Sequence, residues 1–173
     1  MQFAKKGFVV EGSQVDLAES RIGMAVKAGA PIPDISTVET FKKTLLNAKS
    51  IGYSSSSSGV YLSTVLFPRL GLEAALAPKS TKAVTEPVGN LIARGEVEIG
   101  FQQMGELQAV DGIRIVGPIP AELQKATSFA VGIVAASKSK ESAKALIRFL
   151  TSPSACPIMV QTSLDPAACP THK

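Results

Sequence analysis

The chain has 173 residues, of which 45% are hydrophobic and 18% charged, and it carries a formal net charge of +4. That length fits one domain or two small lobes, and that composition supports a packed core and excludes global disorder. The lysines are scattered without interleaved aromatic residues, which argues against a nucleic-acid surface, and the absence of tryptophan argues against a sugar site built on stacking rings.

In chain order, "GFVV" from Gly7 and "SRIGMAVKAG" from Ser20 read as extended segments, and "APIPD" at 30–34 breaks the pattern as a linker. Ser36 with Glu39 forms a capping box, and Val38, Phe41, Leu45 and Leu46 recur at helical spacing, so the pattern predicts an amphipathic helix over 37–49. "SIGY" predicts a short buried strand. Five serines, Ser54–Ser58, follow it directly. "GVYLSTVLFPRLG" then predicts a mostly buried helix, with Pro68 near its end and Gly71 as the left-handed cap. "APKSTKAVTE" is a polar connection. "PVGNLIARG" predicts a short helix capped by Thr85 or Glu86, with Pro87 in its first turn and Gly95 beyond its last. "VEIGF" is a strand, "QQMGEL" a tight turn or short helix, and "IRIVGPIP" a strand ending at prolines. "TSFAVGIVAA" is apolar enough for a strand covered on both faces. "SKESAKALIRFLT" places Ala143, Leu146, Ile147 and Leu150 on one helical face, and "SPSACPIMVQTSL" restarts a helix with Ser152 as cap and Pro153 in the first turn.

Strands alternating with helices imply an α/β fold with a mostly parallel sheet flanked by helices. In such sheets ligands bind beyond the carboxyl ends of strands, and the serine run occupies that kind of place, between "SIGY" and "GVYL". A helix N-terminus presents unpaired N–H groups and a partial positive charge, to which serine hydroxyls add rotatable donors. The run Ser54 to Ser58, with Gly59, is therefore a candidate cradle for an oxyanion or a carboxylate. The competing reading is a polar loop with one serine as an ordinary cap.

Other chemistry is thinly represented. There is no G-x-S-x-G elbow and no glycine-rich phosphate motif; Ser137-Lys138-Ser139-Lys140 fits S-x-x-K only at an exposed helix start, and His172 sits in the polar tail. Glu86 and Glu106 lie near turns and are candidate bases for proton abstraction. One histidine and two cysteines are too few for a zinc site, and no cofactor is implied. Cys156 and Cys169 could form a disulfide closing a short loop, or stand as separate thiols. The N-terminal residues do not read as a signal peptide, and the longest later apolar run, Phe129 to Ala136, is too short to span a membrane.

Four segments, "AKSIGYSSSSSGVYLSTVLFPRLG", "PVGNLIARGEVEIGFQQMGEL", "IVGPIPAELQKAT" and "FAVGIVAASKSKESAKALIRFLTSP", resemble in order the molybdate-binding-like branch of periplasmic solute-binding proteins of ABC importers. The resemblance runs from about Ala4 to Pro166. It implies two α/β lobes closing on an anion, with residues 32–125 as the second lobe and 1–31 and 126–173 as crossing strands and a partial first lobe. It also implies a periplasmic location and permease partners. By resemblance the anion donors are Ser57 and Ser58, the N–H of Val88, and Gln103, which stands where molybdate binders carry a tyrosine. The family opens with a strand, a serine-bearing turn and a helix that have no counterpart before "MQFAKKGFVV", so the expectation is a fragment or a natural short form. Pairing or swapping with a second copy would cover the half-built lobe. The leading expectation is an anion-binding component of an importer and not an enzyme. The same branch resembles proteins that isomerise aconitate, which would make Glu106 or Glu86 the base. A domain that has lost ligand binding is the third reading.

Overall fold

A computed structural model describes residues 6–169. His172 lies outside the described residues. The chain divides into two compact units, one formed by residues 21–127 and the other by the described residues on either side, 6–20 and 128–169.

In the unit spanning residues 21–127, five strands form a mixed sheet in the order β4-β3-β5-β2-β6. The strands are β2 (Ile22–Lys27), β3 (Ile51–Ser54), β4 (Ser80–Ala83), β5 (Ile99–Gln103) and β6 (Ile113–Pro118). β3 runs parallel to both β4 and β5, whereas β2 runs antiparallel to β5 and β6. Parallel pairing is thus confined to the half that carries the serines. The expected boundary at Ile32 moves back to Arg21, because β2 fills the sheet between β5 and β6.

Alternation along each strand builds a core on both faces. On one face Ile22, Met24 and Val26 of β2 join Ile99 and Phe101 of β5, against Phe41 and Leu45 of helix α1 (Val38–Asn47) and Leu62 and Leu66 of the helix after the serines. On the other face Ala25 meets Val88, Leu91 and Ile92 of α5 (Val88–Arg94) and Leu107 of α6 (Met104–Gln108). Gly100 of β5 lets α5 lie close: a Cβ there would stand 2.6 Å from Val88 Cγ1 and 2.7 Å from Ile92 Cδ1.

Three helical stretches follow the serines without a break: α2 (Ser57–Tyr61), a π-helical Leu62–Leu66, and α3 (Phe67–Arg69). Ser63 and Thr64 hydroxyls donate to the carbonyls of Gly59 and Val60 at 2.8 and 2.7 Å, competing with the backbone ladder where it widens. After Gly71 comes α4 (Glu73–Leu76), and the polar connection at 77–86 holds more structure than its composition announces: a 3₁₀ turn at Ala77–Lys79, and β4.

Several caps differ from expectation. The α1 cap is Thr37, in a reciprocal box with Thr40, while Ser36 turns its N–H to Asp34 Oδ1. The α5 cap is Pro87 itself, neither Thr85 nor Glu86, and the helix ends at Gly95 in a left-handed conformation.

In the other unit β1 (Val15–Ser20) lies between β7 (Thr127–Val131), which begins at the boundary, and β8 (Leu164–Pro166). Of "GFVV" only Val9 makes a strand-like bridge, to Val134. Helix α7 (Lys140–Leu150) has the expected apolar face, yet none of its residues is fully buried. β7 is largely exposed instead of covered on both faces. The last helix, α8, starts at Cys156 with Pro157 in its first turn; Ser152 and Pro153 belong to the preceding turn. Cys156 and Cys169 form a disulfide, with Cα atoms 6.2 Å apart.

Candidate functional site

β3 ends at Ser54, and the chain turns straight into α2. Ser54 is buried and its hydroxyl is the hub of the turn, 2.8 Å from Ser56 Oγ and 3.0 Å from Ser58 Oγ. Ser55 N–H donates to Ala83 O of β4 at 2.8 Å, fixing the turn to the neighbouring strand. Ser56 is the N-cap residue but makes no side-chain cap bond, since its hydroxyl is drawn to Ser54. The first N–H groups of α2, at Ser57, Ser58 and Gly59, precede any helical carbonyl that could accept them. In the same turn the Ser56 and Ser58 hydroxyls converge on that of Ser54, with Ser57 exposed and Ser58 buried. Gly59 is obligatory: a Cβ there would collide with the backbone of Ser54.

Val88 N–H, expected at the anion, instead donates to Gln102 Oε1 at 2.8 Å in a buried bond. The reason is local. Pro87 has no side-chain oxygen to cap α5, so Gln102 reaches across from β5 and does so. Gln103 is buried at the end of the same strand, and its Nε2 donates to Thr127 Oγ1 at 2.8 Å. Since β3 and β5 pair in parallel, with Tyr53 beside Phe101, the serine turn and the two glutamines share the carboxyl edge of the sheet.

The two candidate bases have different surroundings. Arg94 grips Glu86 through both terminal guanidinium nitrogens, at 2.9 and 2.7 Å, which holds its carboxyl below the usual carboxylate range. Glu86 is therefore committed to an ion pair and is the poorer proton acceptor. Glu106 lies exposed in the first turn of α6, just past β5. Ser137 to Lys140 lead into α7 in the other unit, where Ser137 Oγ accepts the Ser139 N–H. Among the described residues no three His, Cys, Asp or Glu side chains are grouped as a metal site requires, and no helix is long and apolar enough to cross a membrane.

Gln102 is the participant that sequence reasoning missed. Its signal lay in "GFQQ": in a strand covered on both faces, the first glutamine must also be buried and must find a partner.

Residues 1–162 match the family of bacterial extracellular solute-binding proteins. The chain belongs to that family. Within reach of it, an aconitate isomerase from a Pseudomonas species is 48% identical over 160 residues, covering 92% of this chain and 61% of that protein. The chain therefore spans about three fifths of that relative's length. Among solved structures, the periplasmic molybdate-binding protein of Azotobacter vinelandii superposes with a TM-score of 0.73 at 18% identity, over 94% of this chain and 72% of that one. The substrate-binding domain of a molybdenum ABC transporter from Clostridium difficile gives 0.72 at 21%, over 94% and 70%. At those identities the structures establish the shared α/β fold.

Proposed function

We propose that the serine turn binds a carboxylate of an aconitate-like unsaturated tricarboxylate, and that the protein isomerises this ligand by moving one proton. The observation that carries the binding half is the α2 start, where the cap hydroxyl is withdrawn to Ser54 and the first helix N–H groups stand beside a cluster of three hydroxyls. The kinship with an aconitate isomerase, over a stretch long enough to include that turn, supports the ligand class. Neutral donors suit a carboxylate held away from water, where each hydrogen bond to the charge is strengthened. In the reaction a base takes a proton from the methylene carbon, the electron pair delocalises onto the adjoining unsaturated carboxylate, and a proton returns to the former vinylic carbon, so the double bond shifts with no net gain or loss. Glu106 is the better candidate base, because Glu86 is already paired with Arg94. Incubation with trans-aconitate and chromatographic detection of the cis isomer tests this; Glu106→Gln is expected to abolish conversion while leaving binding intact. Binding without conversion by the unmodified protein would overturn the isomerase half.

The family match and its periplasmic structural relatives favour a second reading, in which the same turn captures an anion for import, in the periplasm and with permease partners. Tight binding of molybdate or sulfate in preference to tricarboxylates would favour it. In either reading, a second copy of the chain is the proposed cover for the apolar side chains exposed in the unit formed by 6–20 and 128–169, among them Phe8, Val134, Leu146 and Ile158.

A further inference from the structure

The carboxyl edge that carries the serine turn also carries a tethered cation. Lys125 is exposed, and its Nζ stands 5.4 Å from the centre of the Tyr61 ring. The ring is a fixed platform: Tyr61 is the last residue of α2, is buried, and donates its hydroxyl to Leu123 O at 3.0 Å. The segment bearing Lys125 is pinned on both sides. Before it, the Gln124 amide pairs with both backbone groups of Ile22, accepting at 2.8 Å and donating at 3.0 Å; after it, Thr127 Oγ1 accepts from Gln103. Ser57 lies four residues before Tyr61, on the same helical face and about 6 Å back along the axis. The residue on whose ring the ammonium rests is thus about one helical turn from the residues that bear the first N–H donors of the serine turn.

Resting on the binding reading above, we propose that Lys125 meets a second carboxylate of the ligand whose first carboxylate sits in the serine turn, and so selects polycarboxylates over compact anions. A cradle of neutral donors cannot count the charges on its ligand; a cation on the same edge of the sheet can. The cation–π contact keeps the flexible stem near one place while leaving all three ammonium protons available.

Calorimetric titrations of citrate and of sulfate into the wild type, Lys125→Met, Lys125→Arg and Lys43→Met test this. Lys43 lines a hollow of about 420 Å³ at the other end of β5 and controls for net charge. Lys125→Met is expected to weaken citrate about tenfold or more, the scale of one charge-assisted hydrogen bond, and to leave sulfate nearly unchanged. Lys125→Arg restores most of the citrate affinity, and Lys43→Met alters neither anion. If the wild type binds citrate and Lys125→Met binds it equally well, or loses citrate and sulfate alike, this inference is overturned while the binding reading stands. If a parallel titration shows that the wild type binds trans-aconitate but not citrate, this inference is overturned; if it binds neither tricarboxylate nor sulfate, both are.

Discussion

At Gly59 there is no room for even one methyl group, because the chain folds back over the backbone of Ser54. Gly59→Ala is expected to cost about 3 kcal/mol, read from urea unfolding, since the obstacle is main chain and cannot rotate away. Ser58→Ala removes one hydroxyl of the cluster but leaves Ser54 bonded to Ser56, so the fold should survive while anion affinity falls by about tenfold. Glu86 supplies a test of a different kind. Its carboxyl is held below the usual range by Arg94, so the folded state keeps that charge more readily than the unfolded chain does. The pair therefore contributes at neutral pH, and the contribution is lost as pH falls below the ordinary carboxylate range. Melting temperatures of the wild type and Glu86→Gln should converge on acidification; parallel curves would contradict the pairing. The serine turn was legible in the sequence because five hydroxyl residues stood between a strand pattern and a helix pattern. Its internal wiring was not, because which hydroxyl caps and which turns aside depends on backbone angles that composition does not encode.

At the level of elements, helix α1 shows how tertiary context finishes what local sequence begins. Its last turn has no basic residue, and the missing cation arrives from the 3₁₀ turn at 77–79, where Lys79 Nζ donates to the carbonyls of Leu45, Leu46 and Ala48 at 2.9, 2.6 and 2.8 Å. Lys79→Met should destabilise the protein by about 2 kcal/mol, with Lys79→Arg recovering part of it. Periodicity located α1, β3, α5, β5 and α7, because each buries, or offers, an apolar face of regular spacing. It missed β4, whose "STKA" is polar, because an edge strand beside β3 is held by backbone pairing more than by side-chain burial. It over-read β7, since an apolar run signals what a strand offers to a neighbour and not whether a neighbour is there.

For the whole molecule, the Cys156–Cys169 bridge closes a loop in the unit that has the thinner core, where Ala18, Ala155 and Met159 are the fully buried apolar residues of its cluster. Reduction should remove about 3 kcal/mol from that unit and make it melt ahead of the unit at 21–127 in calorimetry. Such a bridge also fits an oxidising compartment. Light scattering should detect a dimer as concentration rises; a clean monomer throughout would rule out the second copy as cover. The central claim, that the serine turn receives a carboxylate, is tested most directly by amide resonances. Adding trans-aconitate to ¹⁵N-labelled protein should shift the amides of Ser57, Ser58 and Gly59 in a saturable way, and Ser58→Ala should need far more ligand for the same shift. Those three amides standing still in a folded protein at saturating ligand would contradict the account.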